Sequence, residues 1–405
     1  MDGAVADPHT ASRPATGAIR PVSADSHVLE PPNCYVDYID PAFRGRAPFI
    51  QKNPATGGDA FYIEGFAKPV GLGLLAAAGV DSREIAVTAR FDDLHRGGWD
   101  PKARVIDQDR DGVQAEFVYP TVGMLICNHP DRAFKSACIW AYNRWLQEFV
   151  GGAPGRLYGL GQITLTSIEQ GVRDLQRLKE MGFKGVMMPG EPDMDEDYDD
   201  PVFDPFWRAA VELQMPVSFH ILTGGLTKSF IEGTAAFGGG VAPDRRTLRA
   251  QGIRGADINQ SFSHVRMCQD ILGMLVWGRV FERNPGLKVV CVEADAGWAP
   301  HYMYRMDHFY DRHRHWKKVG DMEKLPSEYF SENIYLTFQD DWSAFQVAHL
   351  MNPKRLLWAS DFPHSDSTWP LSQEVIARNT QGVSDEHKAW ILRDNTAELY
   401  NIPVV

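Results

Sequence analysis

Short runs of apolar and β-branched residues alternate along the chain with longer segments of helical periodicity. Eight of these short runs are predicted strands, namely Ile19–Asp25, Ala115–Tyr119, Leu157–Ile163, Gly185–Met188, Val217–His220, Val289–Glu293, Ile334–Thr337 and Leu356–Asp361. Their apolar residues follow one another without polar alternation, as in VVCV and GVMM, which is typical of strands covered on both faces. The pattern therefore predicts a parallel sheet at the centre of the protein.

The segments between these strands carry the start and stop signals of helices. Asp131 and Ser167 each precede an amphipathic segment, and Gly182 follows the second of them. Further helices are predicted over 205–213, 263–283, 298–314, 341–350, 370–378 and 385–399. Eight strands that alternate with helices favour an α/β fold of the closed (β/α)8 type, a TIM barrel, over an open doubly wound sheet.

Three stretches of the chain do not fit this alternation. Residues 1–17 are small, polar and contain proline, so we expect a disordered N-terminal tail. The segments 31–101 and 222–259 are rich in glycine and proline, and each follows a strand end. Strand ends form the functional rim of a barrel, so we interpret both segments as rim insertions of a single barrel domain over residues 18–405.

Composition and charge narrow the function further. Hydrophobic residues make up 44% of the 405 positions, which is enough for a large core. The chain has 41 Lys and Arg residues against 53 Asp and Glu residues, without a basic run that could follow phosphates, so nucleic acid is not an expected partner. No apolar run approaches the ~18–20 residues of a membrane span, and the first residues lack the order of a signal peptide. We therefore expect a cytoplasmic protein without membrane contact.

Residues that commonly bind metal ions stand at the ends of three predicted strands. The first strand leads into Asp25 and His27, which point to the same side of an extended chain. The fifth strand ends in His220 and the eighth in Asp361. Because the strands of a barrel deliver their carboxyl ends to one rim, these side chains are predicted to converge on a divalent metal ion. Taken singly, each could instead be a cap or a buried, hydrogen-bonded histidine.

Two more carboxylates belong to the same rim. Glu293 ends the sixth strand after four apolar residues, where a carboxylate is costly unless it binds metal or is paired, for example with Arg266 or Arg305. Glu30 follows the first strand. With Glu30 and Glu293 as additional metal ligands, the site could hold one ion or two ions about 3.5–4 Å apart. Oxygen-rich ligation shifts the expected metal from zinc towards manganese or iron.

The expected partner is a small-molecule substrate, bulky and apolar. His364 and Trp298 follow the eighth and sixth strands, so both are predicted to contact it. Other aromatic residues in the insertions and at the rim support this prediction: Phe61, Tyr62, Phe66, Phe230, Phe237 and Trp369. A second expectation is a homodimer, because three tryptophans are predicted to be exposed on the helical layer: Trp140, Trp145 and Trp316.

Five motifs together resemble the amidohydrolase-related family of metal-dependent barrels, in the branch that contains aminocarboxymuconate semialdehyde decarboxylase and the resorcylate-type decarboxylases. The motifs are ADSHVLEPP, PVSFH, VVCVEADAGWAP, WASDFPHSDS and ILRDNTAELYNI, and the resemblance extends from about Pro21 to Pro403. It implies a metal ion held by four residues, Asp25, His27, His220 and Asp361, with Asp361 also accepting and passing on a proton. Those decarboxylases commonly carry His or Glu at the position of Asp25, and a catalytic histidine at the position of Glu293.

The carboxylate at position 293 favours hydrolysis over decarboxylation. We therefore expect a metal-dependent hydrolase of an amide, an ester or an acyl thioester such as an acyl-CoA, in which metal-activated water attacks the acyl carbon and Asp361 and Glu293 are catalytic. The alternative is a metal-dependent, non-oxidative decarboxylase of an aromatic or muconate-type acid. A third reading, a barrel with a purely structural metal, is disfavoured by the long rim insertions.

Overall fold

The computed structural model describes residues 19–73, 75–86, 88–224 and 258–404. The predicted tail 1–17 lies outside these residues, and so do Phe230, Phe237 and most of the predicted second insertion. The strands in chain order are β1 (Val22–His27), β2 (Phe49–Lys52), β3 (Asp59–Tyr62), β4 (Val70–Gly71), β5 (Ala115–Tyr119), β6 (Leu157–Gln162), β7 (Gly185–Met188), β8 (Val217–His220), β9 (Val289–Val292), β10 (Ile334–Phe338) and β11 (Leu356–Trp358).

Eight of these strands form one parallel sheet in the order β1-β5-β6-β7-β8-β9-β10-β11, which confirms the predicted barrel. Each strand lies beside the next one of the eight along the chain, as in a (β/α)8 barrel. Apolar side chains fill the interior, among them Val22, Phe117, Leu160, Met187 and Val290. The barrel is therefore a packed core whose chemistry is confined to its ends.

The barrel closes between its first and last strands through backbone hydrogen bonds just beyond β11. The amide of Asp361 donates to the carbonyl of Asp25 at 3.1 Å, and the amide of His27 donates to the carbonyl of Phe362 at 2.7 Å. Asp25 and His27 lie in the last three residues of β1, and Asp361 and Phe362 lie just after the carboxyl end of β11. Closure thus places the predicted metal ligands of the first and eighth strands side by side.

Helices connect the strands and cover the barrel. They are α1 (Asn33–Tyr38), α2 (Pro101–Asp111), α3 (Val122–Ile126), α4 (Arg132–Gly151), α5 (Ile168–Glu180), α6 (Asp204–Glu212), α7 (Ile258–Trp277), α8 (Val280–Arg283), α9 (Ala299–His313), α10 (Pro326–Asn333), α11 (Trp342–Val347), α12 (Ser372–Asn379), α13 (Asp385–Ala389) and α14 (Asn395–Tyr400). Asp131 and Ser167 accept hydrogen bonds from the amides of Phe134 and Gln170, so both predicted caps are confirmed.

The first insertion contains a small antiparallel sheet that the sequence pattern did not predict. Strand β3 pairs with β2 on one side and with β4 on the other. Phe61, expected to face the substrate, is only 1% exposed and packs edge-to-face against Tyr35. That expectation is therefore wrong for Phe61, because the ring belongs to the core of this small sheet.

The tryptophans that suggested a homodimer differ in exposure. Trp145 is only 6% exposed and stacks on Phe149, so its predicted exposure is wrong. Trp140 is half-buried beneath the guanidinium of Arg177, whereas Trp316 is 63% exposed. Among the described residues, no helix combines the length and the hydrophobicity that crossing a membrane requires.

Candidate metal centre

Six side chains from four strand ends meet at the carboxyl end of the barrel. They form two overlapping groups whose ligand atoms lie within 4.8 Å of one another: Asp25, His27, His220 and Glu293, and His27, Glu293, Asp361 and His364. His27 and His220 are the last residues of β1 and β8, Glu293 follows β9, and Asp361 and His364 follow β11. The predicted convergence of strand ends thus holds in the structure.

Hydrogen bonds to the backbone fix the orientation of both strand-end histidines. Nδ1 of His27 lies 2.8 Å from the carbonyl oxygen of Pro120, and Nδ1 of His220 lies 3.0 Å from that of Ile221. A carbonyl only accepts hydrogen bonds, so each Nδ1 carries a hydrogen, and in the neutral form of each ring Nε2 keeps a lone pair. This is the arrangement by which proteins present histidine to a metal ion.

The two Nε2 atoms of His27 and His220 are 3.1 Å apart. With a hydrogen on each Nδ1, two lone pairs face each other at this distance, which is repulsive unless a positive charge lies between them. Burial, together with repulsion from His364, lowers the pKa of His27 to about 3, so its ring is neutral at pH 7. For His220 the effect of burial is outweighed by attraction to the Asp25 carboxylate, and its pKa is raised.

The carboxylates of the cluster are short of hydrogen bonds, and two of them, Asp25 and Asp361, are fully buried. Both oxygens of Asp25, both oxygens of Asp361 and Oε2 of Glu293 accept none among the described residues. Asp25 Oδ1 and Asp361 Oδ1 each lie 3.4 Å from Nε2 of His27, and Glu293 Oε2 lies 3.4 Å from Nε2 of His220. Uncompensated buried carboxylates are costly. Together with the facing imidazole lone pairs, they form a donor set that fits a divalent cation.

Electrostatic interactions within the cluster shift the pKa values of its three carboxyl groups in different directions. Burial raises the pKa of Glu293 well above its usual range, and the charge of Asp361 raises it further. Burial likewise raises the pKa of Asp361 well above its usual range, with a further contribution from Asp25. Burial would also raise the pKa of Asp25, but attraction to His220 and His27 outweighs it and lowers that pKa. Asp25 is therefore the most readily ionised carboxylate of the three.

The backbone is strained at two of the carboxylates. Glu293 and Asp361 adopt positive φ angles of 59° and 56°. Residues other than glycine rarely take this left-handed backbone conformation. Such strain costs of order 1–3 kcal/mol per residue and is concentrated at functional sites. The turn aims both side chains back across the rim.

His364, which was expected to contact substrate, lies within the cluster itself. Its ring stacks on His27 with 3.9 Å between the ring centres, and its Nδ1 lies 3.2 Å from Asp361 Oδ1. Nε2 of His364 lies 2.9 Å from the hydroxyl of Thr121, whose own hydrogen is donated to the carbonyl of Val28 at 2.6 Å. The position of His364 three residues after the eighth predicted strand indicates a place at the rim. Nothing in the sequence indicates its contact with Thr121.

Glu30 does not join the cluster, which corrects its assignment as a metal ligand. Its Oε1 accepts hydrogen bonds from the amides of Thr121 and Gly123 at 3.1 and 2.9 Å, and its Oε2 accepts one from the amide of Val122 at 3.0 Å. These amides form the N-terminus of α3, where a carboxylate is stabilised by unpaired N–H groups and the helix dipole. Glu30 therefore positions α3 beside the rim.

Trp298 has its polar atom engaged away from the cluster. The indole N–H donates to the carbonyls of Ala294 and Asp295 at 2.8 and 3.0 Å, and the ring packs edge-to-face against Tyr302 and Phe330. These contacts brace the turn after β9. A contact between Trp298 and substrate stays a prediction.

One buried ion pair behind the cluster escaped the sequence analysis. Arg104 on α2 is fully buried and donates to Oε2 of Glu116 at 2.6 Å. The same guanidinium donates to the carbonyls of His27 at 2.9 Å and Phe362 at 3.0 Å, and lies over the ring of Phe362. Arg104 thus fixes the backbone next to candidate metal ligands of the first and last strands. No spacing in the sequence distinguishes it from the surface arginines of a helix.

Comparison with known proteins places these residues in a family. A family model described as Amidohydrolase matches residues 93–402. Among solved structures, an amidohydrolase from Mycobacterium avium subsp. paratuberculosis K-10 is similar with 21% identity and a TM-score of 0.71, over 95% of this chain and 98% of that one. A 5-carboxyvanillate decarboxylase from Sphingomonas paucimobilis matches with 17% identity and a TM-score of 0.64, over 95% and 100% of the two chains.

A third similar structure was solved with a metal ion. It is a dihydroxybenzoic acid decarboxylase from Polaromonas sp. JS666 with bound manganese and the inhibitor 2-nitroresorcinol, and it matches with 16% identity and a TM-score of 0.57, over 95% of this chain and 97% of that one. The sequence-based expectation of a hydrolase is wrong on these comparisons, because the similar structures are mostly decarboxylases. Reliance on the single carboxylate at position 293 led to that expectation.

Proposed function

We propose that this chain, which belongs to the amidohydrolase family, is a metal-dependent, non-oxidative decarboxylase of an aromatic or muconate-type acid. The observation that carries the proposal is the buried His and carboxylate cluster at the rim of a barrel whose solved counterparts are mostly decarboxylases. Manganese in such a counterpart is consistent with the oxygen-rich ligands found here.

Asp25, His27, His220 and Glu293 would hold a divalent ion, because their ligand atoms converge and are otherwise unsatisfied. When bound, such an ion supplies positive charge that binds the substrate carboxylate and a neighbouring hydroxyl oxygen and stabilises negative charge on them. Hydrogen bonds to the backbone orient the two histidines towards this position, and the neighbouring Asp25 and Asp361 are fully buried.

Decarboxylation requires one proton at the carbon that loses the carboxylate. The ring carbon gains the proton, the bond to the carboxylate carbon breaks, carbon dioxide leaves, and the electron pair of the broken bond returns to the ring. Asp361 is the residue we assign to the transfer. Its Oδ1 faces the histidines, and neither of its oxygens has a hydrogen-bond partner among the described residues. Burial, which raises the pKa of this carboxyl, favours its protonated form.

The test is release of carbon dioxide from a panel of hydroxybenzoates, 5-carboxyvanillate and muconate-type acids by the manganese-loaded protein. In heavy water, we expect deuterium at the vacated carbon of the product. Asp361→Asn keeps an oxygen that can ligate but carries no transferable proton, so turnover should fall by about 10²–10⁴-fold while much of the metal is retained. Asp385→Asn, at a fully exposed position, is the matched control and should leave turnover unchanged.

Absence of carbon dioxide release across the whole panel would overturn the proposal. Equal turnover in Asp361→Asn and Asp385→Asn would remove the role of Asp361. A bulky apolar substrate, a homodimer and a cytoplasmic location stay predictions of the sequence.

A further inference from the structure

We propose that a groove beside α9 binds a small aromatic carboxylate, whose ring lies against the aromatic lining and whose anionic group pairs with Arg305 and is attracted by Lys317. The groove has a volume of about 650 Å³, which is within the ~300–1,000 Å³ of ordinary small-molecule sites. None of the described residues that line it belongs to the cluster of candidate metal ligands, so this site is additional to the proposed reaction.

The groove lies away from the end of the barrel that carries the metal centre. Helix α9 starts shortly after Glu293 and is 15 residues long, which corresponds to roughly 22 Å of helix. Because β9 and β10 are parallel, the connection that contains α9 returns to the amino end of the barrel. Tyr310 and Trp316, which line the groove, come from the end of α9 and from the segment after it. A ligand in the groove and a ligand at the metal centre therefore occupy separate places.

Aromatic rings line much of the groove, and two of them are exposed. Phe309 is 47% exposed and Trp316 is 63% exposed, although large apolar side chains are mostly buried in proteins. The remaining apolar wall is half-buried or buried and includes Trp277, Tyr302, Met306 and Tyr310. An exposed apolar patch with a polar rim is typical of a binding site. Aromatic walls favour an aromatic ligand, because paired rings attract each other beyond what the burial of area provides.

Two cations at the groove have no acidic partner among the described residues. The guanidinium of Arg305 lies over Phe309, 4.8 Å from the ring centre. The ammonium group of Lys317 lies over Trp316, 4.6 Å from the ring centre. Arg314 at the same groove is instead paired with an aspartate at 3.2 Å. Each of the two unpaired cations thus adjoins an aromatic wall, which an aromatic ring with an attached carboxylate can match with both of its parts.

Charge selects this ligand over other occupants. The segment 304–318 contains five Arg and Lys residues against two Asp residues, in a chain whose net charge is -12. The local surplus attracts one carboxylate, while the charge of the whole protein repels nucleotides and other multiply charged anions. If the groove lay on the axis of a two-fold dimer, Arg305 and Lys317 of both copies would face one another, and facing like charges oppose such a contact. A small aromatic monoanion is therefore the occupant that fits.

The probe is 1-naphthoate, added to manganese-loaded protein that is labelled with 5-fluorotryptophan. The fluorine resonance of Trp316 reports the groove and is assigned from its absence in Trp316→Phe, whereas that of Trp298 reports the turn after β9. We expect a saturable shift of the Trp316 resonance and binding that weakens as salt is raised. The neutral analogue 1-naphthalenemethanol should bind about 10-fold more weakly, since it lacks the carboxylate that Arg305 would bind.

Two variants of the groove have matched controls elsewhere in the chain. Arg305→Met should weaken binding by about 10-fold, as for loss of one charge-assisted hydrogen bond at a partly exposed position. Arg177→Met removes a guanidinium that also lies over a tryptophan and should leave binding unchanged. Lys317→Met should weaken binding by a smaller factor, because an ammonium group cannot form the paired hydrogen bonds of a guanidinium. Its control is Lys354→Met, where the ammonium group likewise lies over a tryptophan.

Four results would overturn the inference. The first two are a Trp316 resonance that does not move at millimolar 1-naphthoate, and binding of 1-naphthalenemethanol as tight as that of 1-naphthoate. Tighter binding of adenosine monophosphate would assign the groove to nucleotides, and a Trp316 resonance that moves when the protein alone is diluted would assign it to a second copy. These measurements do not involve release of carbon dioxide, so failure here is distinct from failure of the proposed function.

Discussion

Replacement of Arg104 by methionine should damage both stability and metal binding, because this guanidinium joins the ion pair and the rim. The change removes the cation from the buried carboxylate of Glu116 and two hydrogen bonds from the carbonyls of His27 and Phe362. Breaking a buried pair by removing one partner costs about 3–5 kcal/mol. An unsatisfied buried carbonyl adds ~1–3 kcal/mol. We therefore expect the free energy of unfolding to fall by about 4–8 kcal/mol.

The expected loss of metal affinity follows from which carbonyls are released. His27 is a proposed ligand, and Phe362 follows Asp361, so both peptide units next to ligands gain freedom. Loss of a contact that orients a ligand typically weakens metal binding by 10–100-fold. Denaturant unfolding followed by tryptophan fluorescence measures the stability, and equilibrium dialysis with Mn²⁺ measures the affinity. Arg110→Met, on the same helix but exposed, controls for loss of an arginine.

A second substitution isolates the cause. Without Arg104, the carboxylate of Glu116 still accepts hydrogen bonds from Gln108 and Ser26 but has lost its counter-ion. Glu116→Gln removes that stranded charge, so the double variant should be more stable than Arg104→Met alone. A single variant within about 1 kcal/mol of wild type, or a double variant no more stable than the single one, would refute this reasoning.

Three further predictions address the rest of the molecule. His220→Ala should lose metal as well as turnover, since it removes a ligand that is anchored by its own backbone contact; unchanged metal content on elemental analysis would count against that role. Glu30→Gln should lower the free energy of unfolding by ~1–3 kcal/mol at the N-terminus of α3 and leave metal stoichiometry unchanged, whereas a lost ion would restore Glu30 as a ligand. Burial raises the pKa of Asp111 to about 7, so the folded state keeps a proton that the unfolded chain loses above its normal pKa. Stability should therefore fall as pH rises from about 4 to 7, by at most ~4 kcal/mol from this group, and Asp111→Asn should flatten that slope in denaturant titrations at pH 5 and pH 8.

The barrel could be predicted because each of its strands has its own apolar sequence pattern, which can be recognised without the rest of the chain. Seven of the predicted strands begin where the observed strands begin, but the first was placed at Ile19–Asp25 and lies at Val22–His27. Its polar residues are buried by distant partners, since Ser26 bonds to Ser360 in the last strand turn. An isolated window of sequence gives no sign that such a polar segment is buried.

The site could be predicted in its ligand types but not in every role. Asp25, His27, His220, Glu293 and Asp361 stand at strand ends, and barrel topology brings strand ends together. The roles of Glu30 and His364 depend instead on the segment that starts at Thr121, about 90 residues further along the chain from Glu30. Tertiary contacts decide whether a carboxylate faces a cation or a helix N-terminus. The spacing of residues in the sequence does not predict these contacts.

Closure of the barrel also determines when the proposed metal site can form during protein synthesis. Ser26, between the first two ligands, bonds to Ser360, just before Asp361, across 334 residues of chain. At roughly 5–20 residues added per second, the ribosome needs on the order of 20–70 seconds to travel that distance. Asp25 and His27 emerge long before the strand that completes their surroundings. The proposed metal site is therefore complete only after the eighth strand has been made, so a nearly finished barrel rather than an early nascent chain would bind the ion.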